Sequence, residues 1–365
     1  MQLRPITSTQ SGTIMSGIGG NTKPIRVLIV DDSPTIRKMI AAALAVDPNI
    51  QIVSEAADAI QARDAVKALN PDVITLDVEM PGMDGIEFLR RLMQRRPTPV
   101  IMVSSLTGRG SSKALEALTL GAIDCIGKPT AHGVTEALAE LRAKVHAAAN
   151  ARVTTAKSLG DPACKPSVHQ RRKFTPNDRM VFIGSSTGGV DAVSRILSKF
   201  PMNCPPTVIV QHMPSGFTKK FAERLSRICA PDVQEAQASA VLRPGLVLLA
   251  PGGERHLQVT GRARFSCELI SSAPVSDHRP SVDMLFGSAA KLGRRAVGVL
   301  LTGMGHDGAD GLLKMRQNNA ETIAQNSETS VVFGMPRVAA ELGAVQHVLP
   351  LEQIGEKILE LCNGP

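Results

Sequence analysis

Short apolar runs recur along the chain, and each stops abruptly at a polar or glycine-rich turn. In the first half, Arg26–Val30, Gln51–Ala56, Val73–Leu76, Val100–Val103 and Cys125–Gly127 read as strands. Helical patterns separate them, among them Ala57–Ala68 and Val134–Ala148. Pro34 suits the first position of a helix reaching about Val46, with Asp32 or Ser33 as its cap. A five-fold β/α alternation of near-continuous apolar strands implies a parallel sheet covered on both faces.

The second half repeats the logic. Val181–Ile183, Thr207–Gln211, Leu246–Ala250, Val297–Thr302 and Thr322–Gln325 predict strands. Val190–Lys199, Phe217–Cys229, Ser281–Leu292, Pro336–Leu342 and Glu352–Leu361 predict helices. His256–Val259 and Arg264–Leu269 form a hairpin around Gly261-Arg262, and Gly343–Val348 leads into the last helix. Between the halves, Asn150–Asp178 holds few large apolar residues and several prolines and basic residues, including Arg171-Arg172-Lys173. It reads as an exposed linker. The predicted organisation is a disordered tail (1–23), one domain over 24–148, a linker over 149–177 and a second domain over 178–363.

Composition narrows the classes. A chain of 365 residues that is 43% hydrophobic can build two full cores. Aromatics are 2%, with no Trp or Tyr, so the cores are aliphatic and base stacking has little to work with. The net charge of +8 favours acidic partner surfaces and by itself does not indicate nucleic acid. The six cysteines form no C-x-x-C pair and no zinc spacing, as expected of free thiols in a reducing cytosol. Residues 1–23 lack the apolar core of a signal peptide, and no run reaches membrane-spanning length. A cytoplasmic protein that does not insert into membranes is expected.

The chemistry-bearing residues sit at the carboxyl ends of the predicted strands, where open α/β sheets bind ligands. In the first domain these are Asp31, Asp32, Asp77, Ser104 with Ser105, and Lys128. Clustered carboxylates repel one another and need a cation, and all-oxygen ligation suits Mg²⁺. A nearby lysine and hydroxyl can hold a phosphoryl group, and an aspartate can accept one.

In the second domain, Gly184-Ser185-Ser186-Thr187-Gly188 joins a strand to a helix, the context of a G-x-S-x-G nucleophile elbow. Ser185 is the neighbour open to confusion with the nucleophile, and Ser186 is chosen because it is the central residue of the elbow. His212 ends Thr207–Gln211, and Asp307 lies in the loop after Val297–Thr302. Serine as nucleophile, histidine as base and aspartate as orienting carboxylate make a hydrolytic triad. Backbone N–H groups after the nucleophile, at Thr187, and in the Gly303–Gly305 loop are candidates for an oxyanion hole. Asp283, Asp310 and His306 are rivals; the first two read as helix-face and first-turn acids, and His306 lacks its own strand end. The elbow has no lysine, so it is no P-loop, and no hydrolytic cofactor is expected. The order Ser…His…Asp also differs from that of α/β-hydrolases.

These segments carry a resemblance. VDDSPTIR, TLDVEMPGMDGIEFLRRL, PVIMVSSLT and AIDCIGKP resemble a response-regulator receiver domain. The resemblance implies a flavodoxin-like five-stranded domain with Asp77 as phospho-acceptor. It implies Mg²⁺ held by Asp31, Asp32, Asp77 and the carbonyl of Glu79, and phosphoryl contacts from Ser104 and Lys128. Cys125 departs from the pattern, because receivers usually carry Phe, Tyr or His there.

IGSSTGG, VIVQHMPSGFT, LAPGGERHL, DHRPSVDMLF, LLTGMGHDGADGL, IAQN and SVVFGMPRVA resemble the catalytic domain of the chemotaxis protein-glutamate methylesterase (CheB) family. This implies a doubly wound, mainly parallel α/β domain with the triad Ser186, His212 and Asp307, and Met304 at the oxyanion site. It implies hydrolysis of glutamate methyl esters and deamidation of glutamines on chemoreceptor helices, under a receiver that inhibits until a chemotaxis histidine kinase phosphorylates it. Two other classes stay open on the residues alone. One is a non-catalytic phosphate- or nucleotide-responsive module; the other is a transcriptional regulator, although no helix-turn-helix signature follows the linker.

Overall fold

The computed structural model describes residues 23–104, 108–128, 134–151 and 174–364. Most of the predicted tail and linker, Ser105, Cys164 and the Arg171–Lys173 cluster lie outside the described residues.

The first domain alternates β1 (Ile25–Val30), α1 (Pro34–Ala45), β2 (Ile50–Ala56), α2 (Ala59–Leu69), β3 (Val73–Asp77), α3 (Gly85–Arg95), β4 (Val100–Ser104), α4 (Gly108–Thr119), β5 (Asp124–Gly127) and α5 (Val134–Ala149). Its parallel sheet has the order β2-β1-β3-β4-β5, the flavodoxin-like arrangement. β3 and β4 are buried throughout. Of the two cap candidates for α1, the structure selects Ser33, whose hydroxyl accepts from Ile36 N at 3.4 Å, with Pro34 in the first turn. The start of α3 lies against the end of β3: a Cβ on Gly85 would stand 2.0 Å from the Asp77 carbonyl oxygen. Glycine there lets the helix begin beside the acidic strand end.

The second domain runs β6 (Met180–Ser185), α6 (Gly189–Leu197), β7 (Thr207–Gln211), α7 (Phe217–Ile228), β8 (Asp232–Glu235), β9 (Leu246–Leu249), β10 (His256–Gly261), β11 (Phe265–Ile270), α8 (Val282–Ala289), β12 (Ala296–Leu300), α9 (Ala309–Gln317), β13 (Glu321–Gln325), α10 (Met335–Glu341), β14 (His347–Leu349) and α11 (Leu351–Cys362). β10 and β11 pair as a separate antiparallel hairpin. The remaining strands form one parallel sheet, β14-β13-β12-β6-β7-β9-β8. β6, with the serines, is therefore flanked by β12 and β7, which lead to the aspartate and the histidine.

Several boundaries differ from the sequence reading. β8 and β14 occupy the two sheet edges and have no counterpart in it. The helix expected over Ser281–Leu292 ends at Ala289 and tightens into a 3₁₀ stretch, Ala290–Arg295, broken where Gly293 turns to φ 57°. The linker placed at 149–177 is too long at both ends. Ala149 closes α5. Thr175 N donates to Asn363 Oδ1 at 3.0 Å and Asn177 N to Cys362 O at 2.9 Å, which ties these residues to the end of the second domain.

The cysteines among the described residues are unpaired, and burial pushes the thiols of Cys125, Cys204, Cys267 and Cys362 up to about 12. Among the described residues no helix is long and apolar enough to cross a membrane.

The two domains pack directly. α4 lies against α6 and α7. Leu115, Leu118, Ala122 and Cys125 share one buried apolar cluster with Val190, Met213 and Phe217. Val331 of the second domain packs against the opposite receiver cluster, which contains Ile123 and Ile126.

Candidate active site and phosphorylation site

The receiver sheet order sets β1, β3, β4 and β5 side by side, and their carboxyl ends bring together Asp31, Asp77, Ser104 and Lys128. Carboxylate oxygens of Asp31, Asp32 and Asp77 lie within 4.8 Å of one another. Lys128 Nζ stands 2.8 Å from Asp77 Oδ2 and 3.1 Å from Asp31 Oδ2. Asp77 Oδ1 accepts from Glu79 N at 3.2 Å, and Asp31 Oδ1 from Ser33 N at 2.8 Å. Asp31, Asp77 and Ser104 are buried, and Asp32 is exposed.

Burial raises the Asp77 carboxyl to about 6; the Lys128 hydrogen bond opposes this, and the Asp31 charge adds to it. Lys128 is raised, its bond to Asp77 and the nearby carboxylates outweighing burial. One lysine thus leaves the acidic cluster undercompensated. Its oxygen-only donors fit a hard divalent cation such as Mg²⁺.

At the second site, β6 ends at Ser185 and α6 begins at Gly189, so Ser186-Thr187-Gly188 form the turn. Burial separates the two serines. Ser185 is fully buried and its hydroxyl donates to Gln211 Oε1 at 2.6 Å, whereas Ser186 lines a cavity with His212. The Ser186 backbone is fixed from two sides: its N–H donates to Thr302 O at 3.0 Å, and its carbonyl accepts from Gln211 Nε2 at 2.8 Å. Gly303 presses against it, since a Cβ there would stand 2.8 Å from Ser186 Cβ and 2.2 Å from Met335 Sδ. The Thr187 and Met304 N–H groups donate to no acceptor among the described residues and remain available to a ligand.

His212 Nε2 pairs with Asp307 Oδ2 at 2.8 Å. With the Nε2 proton on that bond, Nδ1 is the free acceptor. It is buried and has no hydrogen-bond partner among the described residues. Asp307 sits at the amino end of α8, where its oxygens accept from Ser281 Oγ at 2.8 Å, Val282 N at 2.7 Å and Asp283 N at 2.9 Å. Burial works to raise its carboxyl. The His212 hydrogen bond and charge, with the helix N–H groups, overcome this and hold it at about 2.

The rivals have other work. Asp283 binds Gly311 N at 2.7 Å, and burial, with Asp307 nearby, raises it to about 6. Asp310 lies exposed in the first turn of α9, and His306 is exposed.

Sequence reasoning missed Gln211, Ser281 and His278. Gln211 braces the serine turn, Ser281 braces the aspartate, and the His278 ring stacks on His212 with centroids 3.8 Å apart. Gln211 closes the run VIVQ just before His212, so a polar residue ending a buried strand was the available signal.

The cavity beside Ser186 is bounded on one side by the receiver. Leu118, Gly121, Ala122, Ile123, Asp124 and Cys125 face Ser186, Gly188, Gln211 and His212 across it. Its volume is about 50 Å³, far below the few hundred Å³ typical of ligand pockets. The Thr187 hydroxyl donates to Asp124 Oδ2, and Asp124 Oδ1 also accepts from Lys144 Nζ at 2.8 Å.

A receiver-type domain packed on an α/β domain with these side chains at its strand ends belongs to the class of response regulators with a hydrolase-like output module. Residues 181–358 match the CheB methylesterase family, and residues 27–140 match the response regulator receiver domain. The chain is 56% identical over 339 residues to the protein-glutamate methylesterase/protein-glutamine glutaminase 1 of Rhizobium johnstonii, covering 93% of this chain and 96% of the relative. It is 56% identical over 341 residues to the protein-glutamate methylesterase/protein-glutamine glutaminase of Agrobacterium fabrum, covering 93% and 97%. It is also similar to the crystal structure of the Thermotoga maritima CheB methylesterase catalytic domain, at 40% identity and a TM-score of 0.49, covering 50% of this chain and 98% of that one. The chain belongs to the CheB methylesterase family.

Proposed function

We propose that this protein hydrolyses glutamate γ-methyl esters on chemoreceptor cytoplasmic helices, releasing methanol, and deamidates receptor glutamines through the same site. The observation that carries the chemistry is the pairing of His212 Nε2 with a charged, buried Asp307, which leaves Nδ1 without a partner among the described residues, on a histidine that lines the same cavity as Ser186. Ser186 Oγ attacks the ester carbonyl carbon while His212 Nδ1 takes the hydroxyl proton. The N–H groups of Thr187 and Met304 are placed to hold the tetrahedral oxyanion. Collapse breaks the ester bond, and the imidazolium returns its proton to the departing methoxide as methanol. Water, deprotonated by His212, then attacks the acyl-enzyme; the bond between the acyl carbon and Ser186 Oγ breaks, the imidazolium returns the proton to Oγ, and glutamate leaves. With glutamine as substrate, ammonia leaves in place of methanol.

Control is assigned to the receiver. Asp77 accepts a phosphoryl group from a chemotaxis histidine kinase, with Ser104 and Lys128 contacting the phosphoryl oxygens. Asp31, Asp32, Asp77 and the Glu79 carbonyl would hold Mg²⁺, which would neutralise charge on the transferring group. Masking is supported by the 50 Å³ cavity and by the Asp124 bond to Thr187, the residue next to the nucleophile. The resting receiver leaves no room for an esterified side chain.

The test is methanol release from a methylated receptor fragment by the full chain, with and without a small phosphodonor and Mg²⁺. Wild type should respond to the phosphodonor, Asp77→Asn should not, and Ser186→Ala should be inert throughout. Release that survives Ser186→Ala would remove the basis for the mechanism.

A further inference from the structure

We propose that His278 is a positioning residue for this reaction: its ring holds the His212 imidazole in the one plane that serves both Asp307 and Ser186. The inference rests on the hydrolytic reading given above. Among the described residues a single hydrogen bond, Nε2 to Asp307 Oδ2, anchors the His212 ring. Rotation of an imidazole about its last side-chain torsion is intrinsically broad, so one bond at one ring atom does not fix the plane. The second restraint is a flat face: the His278 ring lies on His212 with centroids 3.8 Å apart and planes inclined by 19°.

The backbone that carries His278 is built to keep it there. Val275 and His278 exchange both backbone hydrogen bonds, at 3.1 and 3.0 Å, around Ser276 and Asp277. Those two residues have φ of 50° and 62°, the sign pattern of a type I′ turn, usually filled by Gly or Asn. Two non-glycine residues in the left-handed region mark a conformation held by its surroundings. The surroundings are present. Arg279 donates to Gly253 O at 3.1 Å and Ser272 O at 2.9 Å, and Ser281 N donates to His256 Nδ1 at 3.1 Å. Ser281 then binds Asp307. One short segment therefore braces both the histidine and its carboxylate.

The charge state suits this role. Burial first, and the adjacent His212 second, lower His278 to about 4; Lys144 and His306 act in the same direction and Asp307 opposes them. His278 is thus neutral when His212 takes the serine proton. A neutral π-face attracts the cation it covers, whereas a second imidazolium would repel it.

The test compares His278→Ala, His278→Leu and His278→Phe in the full, phosphodonor-activated chain. Alanine should lower kcat by about 10²-fold, the scale of a misplaced catalytic group, with KM held within about twofold. Phenylalanine keeps a flat neutral ring and should recover most of the loss; leucine fills the space without a face and should stay near alanine. Wild-type kcat in His278→Ala, equal rescue by leucine and phenylalanine, or a loss carried by KM would each overturn the proposal. If the alanine variant does not fold, as judged by circular dichroism, the phenylalanine–leucine comparison decides. Ser186→Ala is measured alongside; methanol release in that variant would defeat the hydrolytic reading and not the role of His278.

Discussion

Asp77 shows what burial does to a single charge. Its carboxyl is raised to about 6 in the folded chain, burial outweighing the Lys128 bond. A folded-state value above the ordinary one means that its stabilising contribution is present below about pH 4 and is lost as pH rises through about 6. At neutral pH the anion therefore works against the fold. Asp77→Asn, which cannot ionise, should raise the receiver's melting temperature by about 2–4 °C at pH 7.5. The gain should shrink towards pH 4, and calorimetry at the two pH values measures it. At this scale the sequence reading located Asp31, Asp77 and Lys128, because each ends a strand with a readable apolar run. It chose Ser186 over Ser185 as the centre of the elbow, but it did not see what occupies Ser185, because that residue's burial and its Gln211 bond come from a neighbouring strand. It passed over His278, whose stacking partner lies in β7's terminal loop.

The elements were legible wherever they were long or buried on both faces. β4 and β12 are buried at every position, and parallel strands of that kind advertise themselves as unbroken apolar runs. β8 and β14 escaped because they are short edge strands; Asp232–Glu235 has one buried residue and His347–Leu349 has none. Such strands exist by pairing with an already formed sheet. The turns between elements carry the site, and Gly303 is one of their tight points. A Cβ there would meet Met335 Sδ at 2.2 Å and Ser186 Cβ at 2.8 Å. Gly303→Ala should push the serine turn away from His212 and lower kcat by about 10²-fold. Its stability cost should be about 1–3 kcal/mol, read from methanol release and urea unfolding.

At the scale of the whole molecule, the receiver and the output domain meet through an apolar seam that includes a polar contact, Asp124 to Thr187. The same carboxylate is held by Lys144, itself paired with Glu140 at 3.1 Å. If this contact helps to keep the cavity shut, Asp124→Ala should raise methanol release without a phosphodonor several-fold and leave less for the phosphodonor to add. An unchanged basal rate would show that this contact does not hold the cavity shut. Two α/β domains, their strand-end chemistry and the candidate residues Asp77, Ser186, His212 and Asp307 were determined by sequence alone. Apolar period and turn composition are local properties, and strand ends follow from them. Tertiary structure decided the partner that occupies Ser185, the ring that flanks His212, the donors around Asp307 and the closing of the cavity by Leu118–Cys125. Those depend on strand order, on register and on how two separately folded surfaces meet. Residues 95 positions apart, such as His212 and Asp307, become partners only after that packing is complete.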